Sequence, residues 1–322
     1  MNKLSFNSEA PRPIFKKKSE EKALKLLLTL IFSAAWGGIA SIQAEAVGRD
    51  FYPIVDTFFD LRRFDDFSVK LIYAAQGNTV LISIIDSTFR IFDPVTLTHG
   101  LYFLAAALRF FIVVHLLGAR AGVPLVFAYA ISLDFNQSRL SLALSFVVAY
   151  VYFNRSWIFF ASAFFHLSMT PYIIFKKFPF VINLAGILIF GTVGALALKN
   201  LAPRYFVVFD HTFPKNFFLY FSLATSIAFV MWRNGWETTF FHFGIALSIL
   251  IFLLWPHGFS PLYIGRISEI TLYLAIFTFG TYLRVEARRG IRSRYYGLLW
   301  FACISVLLYQ AITLHGNIYR FL

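Results

Sequence analysis

Four short constellations in this sequence combine residue types that can hold an oxyanion or move a proton. In "NQSRLSLALSF", Asn136 and Arg139 are three positions apart and so share one side of a helical turn. A guanidinium there can grip phosphate oxygens in a bidentate fork, which an ammonium does less well; its plain alternative is an arginine snorkelling to a membrane interface. His166, in "FASAFFHLSMT", carries an imidazole able to accept a proton from an attacking hydroxyl near neutral pH. The same histidine also reads as a satisfied structural residue. Arg266 and Glu269, in "IGRISEITLYL", are again three apart. Either they neutralise each other in an apolar helix, or Arg266 binds a diphosphate while Glu269 orients it or takes a proton. In "VGRDFYPIVDTFFDLRRFDDF", Arg49, Asp50 and Tyr52 follow an apolar run directly. An acid at that place can bind sugar hydroxyls, act as base or ligate a divalent cation.

Other polar residues carry plainer readings. Arg109 and His115 read as packing or interfacial groups. Asp134 and Glu237 lie near expected helix ends and read as caps. Asp56, Asp60, Asp65 and Asp66 read as a solvated helix face. The sequence contains no Walker loop, GxGxxG, HExxH or GxSxG, which disfavours an ATP-driven pump or a zincin. Its single cysteine, Cys303, excludes an internal disulfide and a multi-cysteine metal site.

These residues are embedded in a chain that is 59% hydrophobic and 14% charged over 322 residues. Its mean hydropathy is +0.69, more apolar surface than a soluble core of that size can bury. At about 20 residues per crossing, the expected fold is an all-α, polytopic transmembrane helix bundle of about 9–11 membrane segments. Apolar runs lie at about 23–44, 97–118, 122–135, 138–153, 157–175, 179–199, 216–232, 236–255, 261–283 and 294–314. Residues 1–22 form a polar, basic tail, expected to be solvated and cytoplasmic. Residues 23–322 form one transmembrane domain, and 45–96 a long outer loop with an amphipathic stretch, "TVLISIIDSTFRIF". "AEA" at 44–46 resembles a signal-peptidase site, but the preceding run exceeds a usual signal core of about 7–15 residues, so an uncleaved helix is expected. The net charge of +13 comes from short basic clusters between apolar runs, which argues for orientation signals and against nucleic acid as a partner.

Those clusters are Lys16 to Lys18, Arg155, Lys176 with Lys177, Arg233 and the stretch from Arg284 to Arg294. All are expected in the cytoplasm, with the N-terminus. One continuous thread satisfies them if the segment bearing His166 turns back at Pro171. The acidic loop, Arg139, His166, Arg204, His211, His257 and Arg266 then come to the periplasmic end of the bundle.

In chain order, "GRDFYPIVDTFF", "NQSRLSLA", "FFHLS" and "GRISE" resemble the EpsG/Wzy-like family of bacterial polysaccharide polymerases. Gly48, Asp50 and Tyr52 are similar to its Gly-x-Asp-Tyr pattern, with Phe51 inserted. Arg139 and Ala143 are similar to Arg-Gln-x-x-Ala, with Leu140 at the Gln position. Phe165, His166 and Ser168 are similar to Phe-His-x-Ser. The resemblance implies a bacterial inner-membrane enzyme that transfers a growing glycan from undecaprenyl diphosphate to the next lipid-linked repeat unit. The bond broken is already activated, so no cofactor, metal or nucleotide is required. Arg139, Arg266 and Arg204 then bind the diphosphate, His166 is the base with Glu269 or Asp50 as substitutes, and Tyr52, Arg49 and Asn136 contact substrate. Partners implied are undecaprenyl-diphosphate-linked oligosaccharides, the bilayer and a chain-length-regulating membrane protein. Two rival functions share these features: a glycosyltransferase using polyprenyl-phosphate monosaccharides, centred on Asp50, and a flippase or exporter of lipid-linked sugars.

Overall fold

A computed structural model of the chain describes residues 13–48, 50–70, 80–153, 158, 216–236, 261–290 and 295–318. Its described elements are helical, and none of them is a strand. In chain order they are α1 (Pro13–Val47), α2 (Phe51–Arg62), α3 (Val80–Thr88), α4 (Pro94–Leu117), α5 (Ala119–Ala128), a π-helical turn (Ala130–Asp134), α6 (Ser138–Phe153), α7 (Asn216–Arg233), α8 (Pro261–Arg288) and α9 (Tyr296–Ile318). Three of them hold segments long and apolar enough to cross a bilayer: Glu20–Ala46, Pro94–Leu117 and Tyr296–Thr313.

The helix α1 begins ten residues before the apolar run that marks it, so the segment 13–22 is helical. Lysine, glutamate and alanine are strong helix formers, and Glu21 pairs with Lys25 one turn on, at 2.6 Å. Further along, Ser33, Gly37, Ala40 and Ala44 form a buried stripe of small residues. Small residues let backbones approach closely. A Cβ at Gly37 would stand 2.7 Å from the Phe103 carbonyl oxygen, so α1 and α4 meet there without a side chain between them. The opposite side of α1 exposes Leu24, Leu27, Ile31 and Phe32, a lipid-facing pattern.

The helix α4 is the central post. Asp93 caps its start by accepting from Thr96 N at 2.9 Å, with Pro94 in the first turn. Gly118 ends it at φ 79°, a left-handed value that glycine reaches without strain, and α5 begins at once. Gly122 then lies so close to α4 that a Cβ would meet Val114 Cα at 2.8 Å. The apolar run 122–135 is therefore not one helix: α5 ends at Ala128 and the π-helical turn follows. Such turns insert an extra residue and re-aim the side chains beyond them.

The described residues of the segment 45–96 are substantially helical. Phe51, Ile54, Val55, Phe58 and Leu61 on α2 pack with Ile82 on α3, Leu97, Leu101 and Tyr102 on α4 and Ala44 on α1, a small second core at one end of the bundle. Asp86, completely buried, joins the layers: Arg62 Nε reaches it at 2.8 Å and Lys70 Nζ at 3.2 Å. The main core lies between α4, α5, α6, α7, α8 and α9.

Candidate functional site

The end of the bundle beneath this small cap gathers three of the sequence candidates. Gly48 N closes the last turn of α1 by donating to Ala44 O at 2.8 Å. A Cβ at Gly48 would stand 2.3 Å from that same oxygen and 2.4 Å from the carbonyl oxygen of Phe135. Only glycine fits, and its absent side chain lets the chain leaving α1 press directly on the segment that leads into α6. Asp50 follows at the N-cap position of α2, but its carboxylate makes no cap hydrogen bond to that helix. Phe51 is fully buried, with its ring centroid 4.9 Å from His99 and 5.8 Å from Tyr102. Tyr52 is 58% exposed. The inserted Phe51, and not Tyr52, is thus the aromatic anchor of this motif.

Asn136 lies in the turn before α6 and not on the helix itself, which begins at Ser138. Its Nδ2 donates to Ile131 O at 2.7 Å, and its backbone carbonyl accepts from the Tyr102 hydroxyl at 3.2 Å. The amide therefore closes the π-helical turn, a structural task that sequence spacing did not reveal. Arg139, half-buried in the first turn of α6, and Asp50 both lie within electrostatic reach of the Tyr102 hydroxyl. Close by, Glu45 Oε2 is 3.2 Å from His99 Nε2, and the Ser41 hydroxyl is 3.0 Å from His99 Nδ1. The site thus contains both charge signs, with Arg139 at the positive end of the α6 dipole.

Below it lies a cluster that the sequence reading mistook. Arg109 is fully buried, and its Nε and Nη2 grip the two carboxylate oxygens of Asp134 at 2.7 and 2.5 Å. Trp36 Nε1 donates to Asp134 Oδ2 at 2.7 Å, and the Ser141 hydroxyl to Oδ1 at 2.9 Å. Arg109 Nη2 also donates to Val126 O at 2.9 Å, and the guanidinium lies 6.0 Å from the Tyr273 ring centroid. Asp134 is therefore no helix cap, and Arg109 is neither interfacial nor simple packing. Together they tie α1, α4, the π-helical turn and α6 into one joint. A signal was present in the sequence: an arginine and an aspartate in apolar runs each call for an opposite charge. Two positions in different helices gave no spacing from which to pair them.

Glu269 is buried on α8, within electrostatic reach of Tyr129 and Tyr220. It belongs to the interior and is not one of the groups that converge on Tyr102. Arg266 lies on α8 seven residues before Tyr273, as Tyr102 lies seven residues before Arg109 on α4. Arg109 lies over the Tyr273 ring and Gly280 beside Leu117, so α4 and α8 run parallel and the backbone of Arg266 comes to the level of Tyr102, about 10 Å along the bundle from the buried joint. His166, Arg204 and Arg49 lie outside the described residues, as do His211, His257 and Glu237.

In the cap, the expected acidic face divides into separate roles. Asp60 lies 3.4 Å from Arg63, and Asp65 3.7 Å from Arg90. Asp66 accepts from both the hydroxyl and the backbone N–H of Ser68, which holds its carboxyl below the usual carboxylate range. Among the described residues, no three His, Cys, Asp or Glu side chains gather as a metal site would require. Comparison with protein-family models, curated proteins and solved structures finds no match for this chain.

Proposed function

We propose that this protein is a membrane-embedded glycosyltransferase of the polymerase kind, acting on lipid-carried glycans at the outer face of a bacterial inner membrane through a bundle of about 9–11 spans. The observation that carries this reading is that Asp50 and Arg139 both lie within electrostatic reach of the Tyr102 hydroxyl, beside the glycine contact between Gly48 and Phe135. The chemistry asks for two things: stabilisation of a departing diphosphate and removal of a proton from an acceptor hydroxyl. In the proposed step a sugar hydroxyl oxygen bonds to the anomeric carbon of the growing chain. The carbon–oxygen bond to undecaprenyl diphosphate breaks, its electron pair leaves with the diphosphate, and the hydroxyl proton passes to a base.

Arg139 suits the leaving group because it adds a guanidinium fork to the positive end of α6. Arg266, at the same level, is its proposed companion, with Arg204. His166 is the proposed base, with Asp50 as the described alternative. Glu269 is a weaker substitute, since its surroundings are interior tyrosines. Both substrates are lipid-anchored, so the site should open sideways to the bilayer as well as outward. A partner that sets chain length would dock on the same outer face.

The test is incubation of reconstituted protein with undecaprenyl-diphosphate-linked repeat units. A glycan ladder is expected, lost in Arg139→Ala and His166→Ala while both variants elute as folded protein. Arg139→Lys should retain a trace, roughly a hundredfold down, as expected for one lost oxyanion donor. Absence of product, or full activity in both alanine variants, rejects the reading. One specific observation favours a second donor class: the Asp50 carboxylate lies within electrostatic reach of the Tyr102 hydroxyl. Transfer from a polyprenyl-phosphate monosaccharide that needs Asp50 but not Arg139 would move the conclusion there.

A further inference from the structure

A second candidate site lies at the other end of the bundle, on its bilayer side. There α1, α4 and α5 border an apolar groove of about 1200 Å³. Leu28, Phe32, Ala35, Phe110, Val123 and Phe127 line it. Trp36 completes the wall with its N–H turned inward to Asp134, which leaves the apolar ring to the groove. One end is rimmed by Lys22, Lys25, His115 and Arg284. Arg284 donates to the carbonyls of His115 and Leu116, so its charge also offsets the negative end of α4. Lys25 shares its charge with Glu21 at 2.6 Å. With three permanent cations against one carboxylate, the rim is net positive.

We propose that this groove holds one anionic phospholipid of the surrounding bilayer, an acyl chain lying along α1 and the phosphate beneath Lys22 and Lys25. The length fits. From Lys22 to Ile39, both lining the groove, α1 rises about 26 Å, enough for one leaflet with its headgroup region, roughly 20–22 Å. The charge fits as well, because basic side chains near a membrane surface select anionic headgroups. Position narrows the occupant to lipid: the groove opens beside the exposed apolar side chains of α1, where hydrocarbon and not water is the neighbour. Arg288 and Arg289 stand at the same end, the one with the basic excess expected to face the cytoplasm. The site is separate from the one near Tyr102, and the inference rests on membrane embedding alone.

The experiment is native mass spectrometry of protein taken from an equimolar phosphatidylglycerol and phosphatidylcholine bilayer. Wild type should retain a single phosphatidylglycerol. Lys22→Gln with Lys25→Gln should cut the preference for it about tenfold; two free cations would give more, but Lys25 is partly spent on Glu21. Ala35→Trp, an exposed position in the groove, should exclude either lipid while leaving the melting temperature unchanged. Equal retention of the two lipids by wild type overturns the proposal. So does wild-type retention of phosphatidylglycerol by either variant.

Discussion

Asp134 and Asp86 are both fully buried aspartates, yet they are satisfied in different ways. Asp134, inside the bundle, takes four donors: Trp36 Nε1, two guanidinium nitrogens of Arg109 and the Ser141 hydroxyl. Asp86, in the cap, takes two cations, and one of them, Arg62, is 23% exposed. The contrast follows from solvent. An apolar interior offers no water to replace a missing donor, so a carboxylate buried there is saturated by protein or not tolerated. In the cap, Arg62 itself reaches water and carries the Asp86 pair to the surface.

The comparison breaks most sharply at Asp134. Asp134→Ala leaves the Arg109 charge buried without its carboxylate, and removing one partner of such a pair costs about 3–5 kcal/mol. The expected outcome is loss of monodisperse protein on size exclusion. Replacing both partners, Arg109→Met with Asp134→Leu, should recover most of the folded yield, because no bare charge then remains. If the double variant is no better than the single, the four-donor joint is not what the charge requires.

Asp86→Ala should cost less, about 1–3 kcal/mol. Arg62 can turn to water, although Lys70 is only 4% exposed. Thermal unfolding in a bilayer disc checks it. A loss as large as that at Asp134 would erase the distinction between the two environments.

The smallest effect is expected at Asp93, an exposed cap. Its bonds to the side chain and backbone of Thr96 hold the carboxyl below its ordinary value of 3.8. A depressed folded value means that this contribution is complete above the ordinary value and is lost as pH falls through the folded one. Asp93→Asn should therefore flatten the acid side of the stability profile between about pH 5 and about pH 3, with little change at neutrality. An unchanged acid limb would remove Asp93 from this series.

The helices and the candidate joint were unequally legible in the sequence. Long apolar runs are plain in the sequence, and they mark α4, α6, α7 and α8 to within a few residues. The break at Tyr129 was not marked, because the residues on both sides of it are equally apolar. The early start of α1 was hidden for the opposite reason: its charged residues are good helix formers but look like a solvated tail. Arg139 and Asp50 announced themselves by charge next to apolar runs. Their convergence did not, since it depends on backbone clearance at Gly48, a property of two segments at once. Asp134 was misread because proximity to a helix end is a local feature, whereas Arg109 and Trp36 lie 25 and 98 positions away.

That clearance also has a mechanical meaning. Where two segments meet through side chains, rotamer changes can absorb a displacement. The contact between Gly48 and Phe135 has no such compliant element, because backbone touches backbone. It has the form of a strut: the chain entering the α2 and α3 cap bears on the turn ahead of α6 with no side chain between them.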